Sequence, residues 1–65
     1  MNRLRQLRKE RGLTLRELGY VINTSNQNIS NWEVGRSNPN IKYLIALADY
    51  FNVSIDYLVG RSDVR

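Results

Sequence analysis

The sequence predicts an all-α fold, a compact bundle of five short helices. Apolar residues recur at spacings of three and four along most of the chain, which is the period of one helix face. Residue types that start and end helices stand between these apolar segments. The 65 residues, of which 42% are hydrophobic, suffice for one small core, so we expect a single domain over residues 1–65.

Side-chain packing alone must stabilise this domain, because the sequence contains no cysteine and no histidine. Disulfides, thiolate nucleophiles, the usual zinc sites and the commonest general base are thereby excluded. The chain also has no glycine-rich phosphate loop. We therefore expect no enzyme, no metal and no cofactor. No apolar stretch has the length of a membrane span or a signal core, so we expect no membrane association and a cytoplasmic location.

The helix boundaries follow from capping residues. Thr14 and Glu17 have the spacing of a capping box, Ser25 and Ser54 are good N-caps, and Asn23 tolerates the left-handed conformation of a tight corner. The expected helices span about residues 1–11, 15–22, 26–34, 41–51 and 55–59.

Two interior features add to this prediction. Gly19 lies in the middle of the second helix, where glycine costs about 1 kcal/mol relative to alanine, so we expect another backbone to approach closely there. The fourth helix has the most regular apolar period and should be the central buried one, through Ile41, Leu44, Ile45, Ala48 and Phe51. Residues 61–65 should form a loose tail.

Positive charge is concentrated at the start of the chain. The net charge is +4, and the first sixteen residues carry +5 of it against −1 for the remainder. The basic residues in this segment are Arg3, Arg5, Arg8, Lys9, Arg11 and Arg16, with Glu10 as the acidic one. Such a segment suits a polyanion, either nucleic acid or an anionic membrane surface, or it forms an ordinary solvated helix face.

Residues 14–34 have the layout of a helix-turn-helix, formed by the second and third helices. In the third helix, Ile29 and Trp32 point to one side. The opposite side carries Gln27, Ser30, Asn31 and Val34. Asn26 lies at the exposed N-terminus of the helix. Amide side chains can form two hydrogen bonds with adenine in the major groove. Because residues 23–31 are mostly poor helix formers, a DNA-reading face is favoured over an ordinary solvated surface.

Four segments carry a family resemblance. They are Gly12-Leu13-Thr14-Leu15-Arg16-Glu17-Leu18, Ser25-x-x-x-Ile29-Ser30-x-Trp32-Glu33-x-Gly35-Arg36, Pro39, and Val53-Ser54-Ile55-Asp56-Tyr57-Leu58-Val59-Gly60. Together they cover nearly the whole chain, which resembles the phage repressor and Cro group of helix-turn-helix DNA-binding proteins. The resemblance implies a five-helix phage-repressor fold and a transcriptional regulator, in particular a repressor. It also implies binding of double-stranded DNA as a homodimer, at palindromic operators with half-sites about one helical turn apart.

The resemblance also implies site residues. The base-reading positions of the group fall on Asn26, Gln27 and Asn31, with Ser30 on the same face. The positions that contact the DNA backbone fall on Thr14, Leu15, Arg36 and Asn40, to which Arg8 and Arg16 add positive charge. Thr14 would act through its main-chain N–H at a helix N-terminus.

An arginine in the first helix of the group pairs with the glutamate that follows the aromatic residue of the third helix. Here the pair would be Arg8 with Glu33, and it would hold the recognition helix to the first helix. The chain departs from the group at Leu15, where many members carry a glutamine that touches phosphate. It also has Gly19 in place of the usual alanine and Asn23 in place of the usual turn glycine.

A rival interpretation is a protein-interaction module, such as an antitoxin, that uses this fold mainly to bind a protein partner. Its sign would be acidic or bulky apolar residues on the outward side of the third helix, and this sequence has neither. Four apolar residues near the C-terminus exceed what a small core requires: Val53, Ile55, Tyr57 and Val59. They form either a contact between two copies of the chain or the closure of the core.

Overall fold

The computed structural model of the protein describes residues 3–65. Its helices are α1 (Leu4–Glu10), α2 (Leu15–Ile22), α3 (Asn26–Glu33), α4 (Ile41–Phe51) and α5 (Ile55–Val59). The all-α prediction is confirmed, since the described residues form five helices and no strand. The expected start of the first helix at residues 1 and 2 lies outside this range, and α3 ends one residue early because Val34 is its C-cap. None of the helices within residues 3–65 is long and apolar enough to cross a membrane.

The predicted caps set the helix ends. Thr14 Oγ1 accepts the Glu17 N–H at 3.0 Å, while the Glu17 carboxylate accepts the Thr14 N–H at 2.9 Å. Ser25 and Ser54 accept hydrogen bonds at the N-termini of α3 and α5 in the same manner. Asn23 ends α2 in the left-handed conformation, with φ at 62°. Local residue chemistry therefore fixes where α2 stops and where α3 starts.

Each helix contributes to one hydrophobic core. Its buried apolar residues are Leu4, Leu7, Leu18, Ile22, Ile29, Trp32, Leu47, Ala48, Phe51, Val53, Tyr57 and Leu58. Trp32 of α3 lies against Tyr43 of α4, with ring centroids 5.3 Å apart. The core thus attaches α3 to its neighbours through one side only, which leaves the other side of α3 outside the core.

The buried face of α4 differs in part from the predicted one. Ile41 and Ile45 were expected inside, but they are 63% and 46% exposed. Ala48 and Phe51 are buried and Leu44 is partly buried, as predicted, and Leu47 is buried in addition. Two overlapping sets of apolar residues in α4 both recur at helical spacing. The spacing alone does not determine which set packs against the core.

The apolar residues near the C-terminus mainly close the core. Val53 and Tyr57 are buried, and Ile55 packs against the cluster. Of the two alternatives for these residues, the structure supports core closure for Val53 and Tyr57.

The tail at residues 61–65 is held against α1, so the expectation that it is loose was wrong. Arg3 donates to the Asp63 carboxylate at 2.7 Å. Arg65 forms two hydrogen bonds with the Glu10 carboxylate, at 3.0 and 2.8 Å. These partners are 55 or more positions apart in the sequence, so no local pattern could indicate the contact.

Gly19, in the interior of α2, packs against the turn that leads into α3. The Thr24 N–H donates to the Gly19 carbonyl at 2.8 Å. A Cβ on Gly19 would lie 2.7 Å from the Thr24 carbonyl oxygen and 3.3 Å from the Asn26 nitrogen. The predicted close backbone approach is therefore confirmed, and the distance between α2 and the start of α3 depends on it.

We expect Gly19→Ala to lower the free energy of unfolding by about 1 kcal/mol or more in urea titrations. Crowding against backbone atoms costs about 1–3 kcal/mol, whereas the gain in helix propensity returns at most about 1 kcal/mol. Tyr20→Ala is the matched control, because Tyr20 is on the same helix and is 90% exposed. A Gly19→Ala protein as stable as the unmodified chain would contradict this reading of the turn.

The tail contact should be pH-dependent. Hydrogen bonds from Arg65 and then from Gln6 lower the pKa of Glu10 in the folded chain. A carboxyl with a lowered pKa stabilises the fold at neutral pH, and this contribution is lost as the pH falls through the lowered value. Arg65→Ala should therefore reduce the Tm at about pH 7, and the difference from the unmodified chain should shrink towards about pH 2.

Arg61→Ala provides the control for this titration, since it removes the same charge from an exposed residue of the same tail. Equal Tm losses in the two variants at every pH would show that charge alone, and not the contact with Glu10, is responsible.

Candidate nucleic-acid interface

α2 and α3 form the predicted helix-turn-helix. α2 ends at Ile22 and α3 begins at Asn26, so the corner between them has three residues. Ile29 is fully buried and Trp32 nearly so. Both point into the core, as the helical spacing predicts, and they fix which side of α3 faces away from it.

The outward side of α3 carries the predicted amide and hydroxyl residues. Asn26 and Gln27 are exposed, and Ser30 and Asn31 are half-buried. Val34 follows at the C-cap and is 67% exposed. Gln27 Nε2 donates to Asn31 Oδ1 at 3.3 Å. The outer surface of α3 therefore presents hydrogen-bonding groups without a formal charge.

An ion pair joins the C-terminal end of α3 to α1. Arg8 Nε donates to Glu33 Oε2 at 2.6 Å and Arg8 Nη2 donates to Glu33 Oε1 at 3.1 Å. Arg8 Nη1 also donates to the Leu13 carbonyl at 2.8 Å. The side chains of Arg8 and Glu33 are only 12% and 6% exposed. The predicted pair is present, and three of the five guanidinium N–H groups of Arg8 donate within the fold. The expected contact of Arg8 with a DNA phosphate stays a prediction.

The main-chain N–H groups that can bind an anion at the N-terminus of α2 differ from the expected one. The Thr14 N–H was expected to bind a phosphate, but it donates to Glu17 Oε1 within the capping box. The first two N–H groups of α2 itself belong to Leu15 and Arg16, and N–H groups at this position have no acceptor within their own helix. The donors offered to an anion at this end are therefore those of Leu15 and Arg16, even though the Leu15 side chain packs partly against the core.

The loop after α3 carries the two remaining residues that were predicted to contact the DNA backbone, Arg36 and Asn40. Arg36 is exposed, and its N–H donates to the Asn31 carbonyl at 2.9 Å, so it lies close to the end of α3. Asn40 is the N-cap of α4, and its Oδ1 accepts the Tyr43 N–H at 3.2 Å. The side-chain amide nitrogen of Asn40 can still donate to a phosphate.

Sequence reasoning missed Lys42, an exposed residue in the first turn of α4. A cation at this end of a helix is slightly unfavourable, because the helix dipole is positive there, although the Lys42 ammonium also lies 5.6 Å from the ring centroid of Tyr43. The same turn has no acidic residue. This signal was available in the sequence, and it adds a positive charge next to Asn40.

Arg16 and Asn26 line one shallow depression between α2 and the start of α3. The other residues around it are Glu17, Tyr20, Thr24 and Ser25. The structure thus brings a cation of α2 next to an amide at the start of α3.

The N-terminal basic segment offers less charge than its sequence indicates. Arg3 and Arg8 are bound to Asp63 and Glu33. The Arg11 guanidinium lies 5.3 Å from the ring centroid of Tyr50. The exposed basic residues of the segment are Arg5, Lys9, Arg11 and Arg16. Arg3 and Arg8 therefore stabilise the fold through their ion pairs and are not simply displayed to a polyanion.

Comparisons with known proteins agree with this architecture. Residues 4–58 match the model of a helix-turn-helix family. The transcriptional regulator ImmR of Bacillus subtilis is 37% identical over 62 residues, which make up 95% of this chain and 49% of that protein. A transcriptional regulator from Listeria innocua has a crystal structure with a TM-score of 0.82 and 38% identity, covering 88% of this chain and 53% of that one.

The crystal structure of the P22 c2 repressor, solved in complex with a synthetic operator, has a TM-score of 0.86 and 35% identity. It covers 92% of this chain and 91% of that chain. The chain spans about half the length of the curated relative ImmR. These relatives agree with the expectation that the chain is not an enzyme. With the match over residues 4–58, they show that the chain belongs to the helix-turn-helix family, in the phage repressor and Cro group that its motifs resemble.

Proposed function

We propose that the chain binds double-stranded DNA in a sequence-specific manner and regulates transcription as a repressor. The observation that carries this proposal is the outward side of α3, which presents uncharged amides. The opposite side of the helix is fixed by the core and by the ion pair of Glu33. The P22 c2 repressor supports it, since that protein has a similar fold and its structure contains an operator. An activity on genomic DNA is consistent with the expected cytoplasmic location.

In this proposal α3 lies in the major groove, with Asn26 and Gln27 at its entering end. Asn and Gln can accept from adenine N6 and donate to N7 at the same time, which is the pairing that distinguishes adenine from the other bases. Ser30 and Asn31 lie one turn further along and contribute shorter polar groups. These four residues are the proposed base-reading set.

The phosphate contacts are proposed to lie on either side of this set. The main-chain N–H groups of Leu15 and Arg16 bind a phosphate at the N-terminus of α2, and the Thr14 hydroxyl adds a donor. Arg36, Asn40 and Lys42 bind the backbone beyond the other end of α3. These contacts position the domain on the duplex, whereas the amides select the sequence.

Binding as a homodimer to a palindromic operator is part of the proposal, because the group that the chain resembles binds in this way. Since Val53 and Tyr57 are buried in the core, a contact between two copies must use other residues. The antitoxin-like alternative has weaker support, as α3 displays amides rather than acidic or bulky apolar side chains. Val34 is the exception on that side.

Selection of bound sequences from a random duplex pool tests this function. We expect a two-fold symmetric motif to be enriched at low salt and to survive at near-physiological salt, because added salt weakens mainly the phosphate contacts. Binding without any enriched motif that fades as salt rises would contradict the proposal, and it would favour a protein partner.

Two variants in the same selection separate the proposed roles. Gln27→Ala should lose about 1–3 kcal/mol of binding free energy on the preferred site and accept more bases at one position. Arg36→Ala should weaken binding to all sequences nearly equally while the motif stays unchanged. Equal losses from both variants on random DNA would show that Gln27 does not read a base.

A further inference from the structure

Two of the proposed base-reading side chains are bonded to each other. Gln27 and Asn31 are four residues apart in α3, so their side chains lie on the same side of the helix one turn apart. Gln27 Nε2 donates to Asn31 Oδ1 at 3.3 Å. Asn31 is the less exposed partner, and Gln27 extends further towards solvent.

This bond couples the orientations of the two amides. A glutamine amide has an oxygen that accepts and a nitrogen with two donors, and rotation by half a turn exchanges them. With Asn31 Oδ1 directed at it, Gln27 presents its nitrogen, because two amide oxygens repel each other, and the Gln27 amide can turn over only if the Asn31 amide turns over with it. Gln27 Oε1 and the second N–H of Nε2 then remain for a ligand. An acceptor beside a donor is the complement of adenine N6 and N7.

We propose that Asn31 is a positioning residue that fixes the Gln27 amide, so that the two side chains read one adenine-containing base pair as a unit. This inference rests on the proposed function and names the base that this part of the site selects. Because the amide is oriented before DNA binds, less rotational freedom is lost on binding.

The neighbouring amide serves as a comparison within the same helix. Asn28 Nδ2 donates to Thr24 Oγ1 at 2.9 Å. Its bond therefore points back to the turn between α2 and α3, whereas the Gln27 bond runs along the outward side of α3. Asn28→Ala removes an exposed amide from α3 without touching the pair, which makes it the matched control.

The test is the base preference of five proteins in sequence selection from a random duplex pool: the unmodified chain, Gln27→Ala, Asn31→Ala, the double variant and Asn28→Ala. We expect both single variants to lose preference for adenine at the same position, by about 10-fold or more. The double variant should show no further loss at that position. Asn28→Ala should keep the motif.

A rescue variant separates positioning from a purely structural role. Asn31→Asp keeps an oxygen that accepts the Gln27 N–H, so it should retain the adenine preference even though its negative charge weakens binding to all DNA. Loss of the preference in Asn31→Asp would overturn the inference.

Relaxation of two different positions by Gln27→Ala and Asn31→Ala would also overturn it, because the two residues would then read separate bases while the proposed function still holds. Failure of the unmodified chain to enrich any motif would overturn the proposed function itself, and the inference with it. Circular dichroism and thermal unfolding of each variant check that the total helix content and the Tm are unchanged in the proteins compared.

Discussion

The position of α3 depends on the ion pair between Arg8 and Glu33 together with the burial of Ile29 and Trp32. The Arg8 and Glu33 side chains form a bidentate contact and are almost completely buried, and the Leu13 carbonyl accepts a further Arg8 N–H. Removing one partner of such a buried pair costs about 3–5 kcal/mol, because the other charge stays behind in a poor solvent. That loss is comparable with the whole stability of a small domain, about 5–15 kcal/mol. α1 and the C-terminal end of α3 are therefore constrained to move together.

Tertiary support of this kind explains how α3 can consist of residues that favour helix weakly. Ser25 caps its first turn, Ile29 and Trp32 attach it to the core, and Glu33 attaches its end to α1. Since helix stability in a protein comes mostly from packing, the outward positions need not contribute to it. They are thus available for amides and hydroxyls that recognise a ligand. α3 is thus held from one side, which leaves its other side available for the proposed contact with DNA.

Much of this architecture could be predicted from the sequence, because it depends on local chemistry. Thr14, Ser25 and Asn23 mark helix ends by hydrogen bonds within a few residues, and Gly19 marks a close approach by its cost in a helix. Features that depend on distant partners could not be predicted in this way. The tail contacts join the start of the chain to residues near the C-terminus, and the choice between two apolar stripes of α4 depends on what packs there. The resemblance to a family, and not the residue pattern alone, indicated the pairing of Arg8 with Glu33.

A ¹⁵N NMR titration with a short DNA duplex, in which the side-chain amide signals are followed, shows whether the outward side of α3 contacts DNA. If α3 reads DNA with its outward side, the amide signals of Asn26, Gln27 and Asn31 shift on binding, and that of Asn52 at the far end of α4 stays in place. Shifts concentrated around the exposed Ile41 and Ile45 of α4, with the α3 amides unchanged, would show that DNA does not bind at the outward side of α3.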